Sequence, residues 1–308
     1  LPILASESDK RPHPSLHYSD PYFVENSMKH PILSLFDPKA NHPVIFRSYG
    51  DTNSEEAVVL VDGLFETCSS SVYLLSMLEK KGVRALAVDI SGYPTYQALA
   101  HIYAKFLFKQ GVKICHLVGC DYGGYECLQI ASNIKNEVAT YNIRVLSVTL
   151  INSFIYPDFM GPLPFGFSVF GQLRIKSMLY GKIEKAGCIK SGSRAAIFVA
   201  KEIDSANPNT LYSRFLLANT VPPELDIDYI EESILSIEAT DRLLKVPDEA
   251  LPSKSLNKCH VVQLDSVGDW PHIDHADEIV EILYSHIKRN KYLLNSQNEQ
   301  ETDRKSVV

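Results

Sequence analysis

The residues best suited to chemistry lie at 119–123, where the chain has the sequence GCDYG. An apolar run over 114–118 predicts a buried strand before this segment, and apolar spacing over 124–131 predicts a helix after it. Gly119 and Gly123 leave room on either side of a sharp turn whose central residue, Asp121, must adopt a positive φ. This spacing is typical of a nucleophile elbow, with an aspartate in place of the usual serine. A plain glycine-rich turn between a strand and a helix is the alternative interpretation.

The surrounding pattern supplies the elements that must position this turn. Apolar, β-branched runs at 57–63, 83–89 and 144–154 predict strands, and a helix-like segment over 72–78 separates the first two. Continuous apolar strands separated by helices indicate a mostly parallel central sheet with helices on both faces. The order of the elements resembles that of an α/β-hydrolase, an α/β fold in which a helical cap is inserted over the site.

Two further carboxylates stand where this fold places the rest of a catalytic triad. The order along the chain in such folds is nucleophile, acid and histidine. A strand predicted over 233–237 leads to Asp241, at the acid position. The last predicted strand, 261–264, leads to Asp269, where a histidine base normally stands. We expect Asp121, Asp241 and Asp269 to converge within hydrogen-bonding distance as a degenerate triad.

The aspartate at position 269 decides the expected mechanism. A serine needs a base to take its proton, and the ester formed by an aspartate nucleophile needs histidine-activated water for its release. Asp269 can do neither, and its charge repels that of Asp121. A base relocated to His272 or His275 is the alternative, although both histidines fit better as surface or helix-start residues. We expect no catalytic residue, and we keep a hydrolase with an aspartate nucleophile, similar to epoxide hydrolases and dehalogenases, as the second hypothesis.

The loop after the first predicted core strand is poorly suited to stabilising an oxyanion. Asp62, Gly63 and Leu64 stand where an active hydrolase usually has histidine and glycine, and Glu66 adds a carboxylate where negative charge would develop. No lysine or arginine lies within two residues of the elbow tip or of the base position. Like charges packed together raise at least one pKa, so the carboxylate cluster should hold a shared proton or recruit a cation. We expect the shared proton and no metal ion, because a hard cation needs several further oxygen ligands that the motif does not supply.

Nearly the whole chain, from about residue 31 to about residue 295, resembles the maspardin family of non-catalytic α/β-hydrolase-like proteins. The resemblance rests on VKICHLVG at 112–119, NSF at 152–154, SRFLLAN at 213–219 and GDWP at 268–271. The last of these corresponds to glycine, asparagine, phenylalanine and proline in the family, which also lacks histidine at the base position. The family normally keeps a serine at the elbow, where this chain has an aspartate.

This resemblance implies an adaptor or scaffold that binds other proteins and uses no cofactor. The partners it implies are the cytoplasmic tail of a T-cell co-receptor and a relative of aldehyde dehydrogenase. It also implies a cytoplasmic location, with peripheral association to endosomal and trans-Golgi membranes. A protein that keeps the pocket and binds a small ligand without chemistry is a third hypothesis.

The composition limits the remaining classes. A net charge of −7 without a basic run disfavours nucleic acid as a partner and gives no polybasic membrane signal. No window approaches the roughly 18 consecutive apolar residues of a membrane span. The six cysteines show neither C-x-x-C nor metal-ligand spacing, so we expect reduced, buried thiols in a reducing compartment. Cys120 has no neighbour in sequence that would lower its thiol pKa, and we do not expect it to act as a nucleophile.

We expect one hydrolase-like domain over 31–294, with the cap inserted at about 155–230. Helical spacing of apolar residues predicts cap helices at 169–180, 193–204 and 211–218. Aromatic residues are dense at the start of the cap and either line a pocket or docking face or seal the cap against the core: Phe154, Tyr156, Phe159, Phe165, Phe167 and Phe170.

Both ends of the chain are polar. We expect residues 1–30 to form a poorly ordered extension and residues 295–308 to form a disordered tail. The chain ends in Ser306, Val307 and Val308, which fits the terminus that PDZ domains bind by strand addition.

Overall fold

The computed structural model describes residues 21–35, 43–90, 92–157, 167–220 and 223–306. Within these residues the chain forms a sheet whose strands are β1 (Leu33–Leu35), β2 (Val44–Tyr49), β3 (Glu56–Val61), β4 (Ala85–Asp89), β5 (Ile114–Cys120), β6 (Arg144–Ile151), β7 (Ile234–Ala239) and β8 (His260–Leu264). The α-helices are α1 (Pro21–Lys29), α2 (Val72–Lys80), α3 (Tyr96–Lys109), α4 (Tyr122–Ile134), α5 (Val138–Tyr141), α6 (Phe167–Lys185), α7 (Arg194–Ser205), α8 (Pro208–Ala218), α9 (Pro252–Ser255), α10 (Pro271–Asp274) and α11 (Ala276–Ser306).

The sheet is mostly parallel, as predicted. Its strand order is β1-β2-β4-β3-β5-β6-β7-β8, and the pairs are parallel from β4 to β8. Helices α2 and α11 pack together, and α3 and α4 pack together, so helical layers cover the strands. The central strands are almost wholly buried, which explains their continuous apolar, β-branched sequences. Parallel alignment places the carboxyl ends of β3, β5, β6, β7 and β8 at one edge, where the predicted site lies.

The antiparallel edge of the sheet was not predicted. β1 pairs with β2, and β2 pairs with β4, both antiparallel. β2 mixes apolar side chains with Arg47, Ser48 and Tyr49, so its sequence lacks the continuous apolar run of the parallel strands. Arg47 is nevertheless buried. Its guanidinium donates to the carbonyl oxygen of His30 at 2.5 Å, which offsets the loss of water.

The first helix corrects our expectation of a poorly ordered segment over residues 1–30. α1 packs against α2, and Phe23 is 5% exposed with its ring 5.5 Å from that of Phe198. The ring of Tyr22 stacks on Tyr73 at 5.8 Å. A few aromatic residues in a polar segment are enough to dock a short helix on a preformed surface. Residues 1–20 lie outside the part of the chain that the structure describes.

The other end of the chain is also helical where we expected a disordered tail over 295–308. α11 continues to Ser306, and a polar segment that follows a docked helix can extend it because it has already been nucleated. Val307 and Val308, the last residues of the PDZ-binding prediction, lie outside the described residues. Among the described helices, none combines the length and the apolar character that a membrane span requires.

The cap is inserted between β6 and β7, as predicted. Its helices α6, α7 and α8 match the three helical patterns. Phe154 is 1% exposed and stacks on Tyr125 of α4 at 5.9 Å, so this aromatic residue packs into the core beside the elbow helix. Phe159 and Phe165 lie outside the described residues.

Candidate functional site

The elbow forms as the glycine spacing predicts. Asp121 follows β5 with φ 50° and ψ −121°, and α4 begins at the next residue, so the positive φ of an elbow tip is present. A Cβ atom at Gly119 would clash with the backbone of Gly123, and one at Gly123 would clash with the carbonyl oxygen of Val61. Both glycines are therefore required by close backbone approach, which holds the elbow against the end of β3.

The carboxylate of Asp121 is almost enclosed and is paired with an arginine. Its side chain is 15% exposed, and its Oδ1 accepts a hydrogen bond from Nη2 of Arg242 at 3.1 Å. Burial raises the pKa of Asp121 to about 6; Arg242 opposes the rise, and the charges of Glu66 and Asp269 add to it. The direction agrees with our prediction, but the principal cause is burial rather than a proton shared between carboxylates.

Asp269, at the base position, is hydrogen-bonded to the backbone of a neighbouring loop. Its Oδ1 accepts hydrogen bonds from the N–H groups of Leu243 and Leu244 at 3.1 and 2.7 Å. Its Oδ2 accepts a hydrogen bond from the thiol of Cys188, with Sγ at 3.5 Å. Asp269 is 8% exposed. This carboxylate thus fixes the loop that follows β7.

Asp241, which we expected to converge with Asp121 and Asp269, is bound by the turn that immediately precedes Asp269. It is exposed, and its Oδ1 accepts hydrogen bonds from the N–H groups of Val267 and Gly268 at 3.1 and 3.0 Å. The turn, in which Gly268 has φ 68°, presents two backbone N–H groups that the carboxylate of Asp241 satisfies. Asp241 thus binds the turn before Asp269, and Asp269 binds the segment that follows Asp241.

Glu66 and His272 form a buried ion pair beside the elbow. Glu66 is 4% exposed and His272 is 3% exposed, and Nε2 of His272 lies 3.0 Å from Oε1 of Glu66. The expectation that His272 lies at the surface is therefore wrong, although it does lie at a helix start, in α10. His275 is half-buried just before α11, in agreement with a helix-start residue.

A sulfur atom completes this group. One ligand atom from each of Glu66, Cys120 and His272 lies within 4.8 Å of the other two. Burial raises the pKa of the Cys120 thiol well above its usual value, and Glu66 and Asp121 raise it further. A raised pKa disfavours the thiolate that a nucleophilic cysteine requires. All six cysteines are free thiols, and Cys259 is the one that is not fully buried.

The loop after β3 is closed against the cap. Nη1 of Arg214, in α8, donates to the carbonyl oxygens of Gly63 and Glu66, each at 2.7 Å. Nη2 of the same side chain lies 2.7 Å from Asp89 and 3.8 Å from Asp62. Burial raises the pKa of Asp62 well above its usual value, and Arg214 opposes the rise. A cap residue therefore fixes the loop where an oxyanion would be held.

One amide beside the elbow is already engaged by a carboxylate. In this fold the oxyanion donors are the N–H of the residue after the elbow tip and an N–H from the loop after β3. In that loop, the N–H of Gly63 donates to Oε2 of Glu66 at 3.3 Å. Leu64 is 1% exposed. As the sequence predicts, the carboxylate of Glu66 lies near the place where an oxyanion would form, and its charge disfavours that anion.

A lysine of the cap also faces the elbow. Burial lowers the pKa of Lys182, in α6, and the negative charge of Asp121 opposes this shift. Its Nζ lies 5.9 Å from the ring centre of Phe215. Lys182 and Arg242 lie far from Asp121 in the sequence, and both interact electrostatically with its carboxylate. The residues next to Asp121 in the sequence give no sign of these two cations.

A cavity of about 340 Å³ lies at the opposite edge of the sheet. Its lining includes Arg144 at the start of β6, Tyr229 before β7 and Leu293 of α11. It does not border the elbow, so it does not serve as the substrate pocket of a hydrolase.

A second polar cluster, which the sequence analysis missed, lies within the sheet. His116 of β5 is 1% exposed; its Nδ1 contacts Oγ of Ser147 at 2.7 Å, and its Nε2 contacts Oε1 of Glu56 at 3.1 Å. Oε2 of Glu56 pairs with Lys291 at 2.8 Å. We refer to Glu56, His116 and Ser147 as the His116 network. A lone histidine in an apolar strand run was its only signal in the sequence.

Comparisons with known proteins define the fold. No protein-family model matches the chain, and no curated protein matches it. Among solved structures, a study of carboxylesterases from the thaumarchaeon Nitrososphaera gargenis provides a match with TM-score 0.61 and 16% identity, covering 85% of this chain and 99% of the other.

Two further matches have the same character. The enol-lactonase of Burkholderia xenovorans LB400 gives TM-score 0.60 and 15% identity, covering 84% of this chain and 100% of the other. An epoxide hydrolase of the α/β-hydrolase superfamily, from metagenomes of hot environments, gives TM-score 0.55 and 14% identity, covering 83% of this chain and 98% of the other. The helix-flanked, mostly parallel sheet and these likenesses together establish that the chain has an α/β-hydrolase fold.

Proposed function

We propose that this protein is a non-catalytic α/β-hydrolase-like protein that acts as an adaptor or scaffold by binding other proteins. The observation that carries this proposal is the state of Asp269, which stands at the base position and accepts hydrogen bonds from the N–H groups of Leu243 and Leu244. A carboxylate held in this way cannot replace an imidazole that activates water. An ester formed on Asp121 would have no means of release through it.

The environment of Asp121 supports the same conclusion. The hydrogen bond from Arg242 stabilises its charged form and competes with attack on a substrate. The carboxylate of Glu66 occupies the N–H of Gly63, which an oxyanion would need. Electrostatic stabilisation of the oxyanion is often the largest contribution to acyl-transfer catalysis, so its loss matters as much as the missing base.

Turnover assays on a panel of esters, lactones, epoxides and haloalkanes test the non-catalytic part of the proposal. We expect rates equal to the uncatalysed background for the wild type and for Asp121→Asn. A matched control, Asp277→Asn, changes a distant acidic residue in the first turn of α11. Turnover that Asp121→Asn abolishes and Asp277→Asn preserves contradicts the proposal.

The adaptor part rests on the resemblance to the maspardin family. We propose the partners that this resemblance implies, the cytoplasmic tail of a T-cell co-receptor and an aldehyde dehydrogenase relative, and peripheral association with endosomal and trans-Golgi membranes. Binding of the purified chain to a synthetic peptide of that tail, against a scrambled peptide, tests the first partner. Equal binding to both peptides counts against it. Alkali extraction of membranes tests peripheral association, since retention after extraction contradicts it.

A hydrolase with Asp121 as its nucleophile is the second candidate. The contact between Glu66 and His272 favours it, because an imidazole oriented by a carboxylate is what a relocated base requires. In such an enzyme, His272→Gln would trap the covalent ester on Asp121. Mass spectrometry of the variant after incubation with an epoxide shows an adduct if the second candidate is correct, and an unmodified chain if the protein is non-catalytic.

A further inference from the structure

We propose that Glu66, Cys120 and His272 form a binding site for a zinc ion that joins three segments at the carboxyl edge of the sheet. The three residues come from the loop after β3, the end of β5 and helix α10. One ligand atom of each lies within 4.8 Å of the other two. The wide separation of these residues in sequence explains why no metal-ligand spacing was visible.

The donor atoms select the type of ion. A cysteine sulfur, a histidine nitrogen and a glutamate oxygen form a mixed set that suits zinc, whereas calcium and magnesium require several oxygen ligands. In a tetrahedral zinc site, neighbouring ligand atoms lie about 3.3–3.6 Å apart, given the usual metal–ligand bond lengths. Nε2 of His272 and Oε1 of Glu66 are already 3.0 Å apart, so small side-chain movements complete the site.

The hydrogen bonding of these residues leaves atoms available for a metal. Oε1 of Glu66 and Nδ1 of His272 are buried and have no hydrogen-bond partner among the described residues. The other oxygen of Glu66 is held by the N–H of Gly63 at 3.3 Å, as a backbone donor holds a metal-bound carboxylate in position. The sulfur of Cys120 makes a long contact, 3.8 Å, with the carbonyl oxygen of Asp269. A zinc ion bound by Oε1 of Glu66 and Nε2 of His272 gives that oxygen a partner and leaves Nδ1 of His272 to carry the ring proton.

Carboxylates outnumber cations around the cluster. Glu66, Asp121 and Asp269 all act on the Cys120 thiol, and the charge of Arg242, which is paired with Asp121, opposes them. Zinc binding displaces the proton of the thiol, so the ion, the thiolate and the carboxylate of Glu66 together carry no net charge. Three protein ligands leave one coordination position for water. Because the site is buried and Arg214 closes the loop above it, the ion stabilises the degenerate elbow without access for a substrate.

The test uses the full chain without an affinity tag, produced in medium supplemented with zinc or with cobalt. Elemental analysis by mass spectrometry should find about one zinc ion per chain, and the cobalt form should show the near-ultraviolet charge-transfer band of a thiolate–cobalt bond. Cys120→Ala and His272→Gln should each lower zinc affinity by at least about 10-fold. Cys127→Ala is the matched control, because Cys127 is an equally buried thiol outside the cluster.

Two results overturn the proposal. One is a wild-type chain that contains no zinc and gives no thiolate–cobalt band. The other is zinc binding that Cys120→Ala and His272→Gln leave unchanged, which places the ion elsewhere and makes Glu66 and His272 an ordinary buried ion pair. If a variant fails to fold, the cobalt spectrum of the wild type still decides whether a thiolate binds the metal.

Discussion

Two polar clusters each include a residue of strand β5, and they differ in the chemistry that their residues and positions allow. The His116 network contains a hydroxyl, an imidazole and a carboxylate in hydrogen-bonding sequence, which is the chemistry of a catalytic triad. It is built from three neighbouring strands inside the sheet, with Ser147 fully buried. The elbow cluster, which comprises Glu66, Cys120, Asp121, Arg242, Asp269 and His272, lies where this fold places its active site but has carboxylates where a nucleophilic serine and a histidine belong.

The two clusters thus separate position from residue chemistry: one has the residue types of a triad inside the sheet, and the other has the position of an active site in this fold. In the His116 network, both ring nitrogens are hydrogen-bonded, so the cluster serves the stability of the sheet. In the elbow cluster, Oε1 of Glu66 and Nδ1 of His272 lack hydrogen-bond partners among the described residues, and Asp121 has a raised pKa. Perturbed pKa values cluster at functional sites, so the raised pKa of Asp121 marks the elbow cluster as the candidate site of the two.

The largest effect is expected from a methyl group at the elbow. Gly119→Ala should destabilise the fold by about 3–5 kcal/mol, because the added Cβ meets the backbone of Gly123, which cannot move aside. Gly181→Ala, in the interior of α6, is the control: its Cβ has no neighbour within 4 Å, and better helix propensity should stabilise the protein by about 0.5–1 kcal/mol. Urea unfolding measures both. A cost below about 1 kcal/mol at Gly119 would mean that the elbow is not rigid.

The His116 network is tested by two substitutions on one strand. Ser147→Ala removes the partner of a buried imidazole nitrogen and should cost about 1–3 kcal/mol. Thr149→Val, on the same strand and equally buried, removes a hydroxyl that has no hydrogen-bond partner among the described residues, and should leave stability unchanged or raise it. Equal costs in chemical unfolding would show that the network adds nothing to the burial of the strand.

Two glutamates should respond to pH in opposite directions. Burial raises the pKa of Glu126, on the elbow helix α4, to about 8, whereas the hydrogen bond from His116 outweighs burial and lowers the pKa of Glu56. The folded wild type therefore loses stability as pH rises from the unfolded pKa of about 4.3 to the folded pKa of Glu126. Relative to the wild type, Glu126→Gln should gain about 1.4 kcal/mol per pH unit over that range and then level off.

Glu56→Gln should show the reverse. Its stabilising interaction is present above the unfolded pKa and is lost as pH falls through the folded pKa, so the variant should be less stable than the wild type near neutrality. The difference should shrink in acid. Melting temperatures of both variants across the pH range provide the measurement, and parallel curves for the two would contradict the assigned causes.

The smallest effect is expected from restoring histidine at the base position. Asp269→His should give less than about a 10-fold gain in hydrolysis of any ester or epoxide, because the N–H of Gly63 remains bonded to Glu66 and Asp121 remains paired with Arg242. The loss of the hydrogen bonds to Leu243 and Leu244 should also destabilise the variant. Efficient turnover by Asp269→His would show that the missing base is the only defect of the site.

The sequence was sufficient to predict features that depend on neighbours in the chain. The elbow at Asp121 follows from two glycines at fixed spacing, and the parallel sheet follows from continuous apolar runs. The partners of Asp121 could not be predicted in this way, because Arg242 is brought to it by the return of the chain through the cap and β7. The direction of Asp241 depended on two free amides in a turn whose conformation no local pattern revealed.

The helix at Pro21–Lys29 was missed for a related reason. Its sequence is polar enough to suggest disorder, and its stability comes from the docking of Phe23 against a ring of the cap helix α7. Glu66 and His272 were each noticed in the sequence, but their contact joins residues from opposite ends of the domain. Composition and periodicity carry no information on such pairs.

Oxygen exchange at Asp121 tests the central claim most directly. In an enzyme with an aspartate nucleophile, water attacks the carboxyl carbon of the ester, so repeated turnover in ¹⁸O-labelled water leaves label in the aspartate itself. We expect that the peptide containing Asp121, analysed by mass spectrometry after long incubation with epoxide and haloalkane mixtures in labelled water, carries no more label than the same peptide from protein incubated without substrate. Substrate-dependent incorporation of ¹⁸O at Asp121 would contradict a non-catalytic elbow.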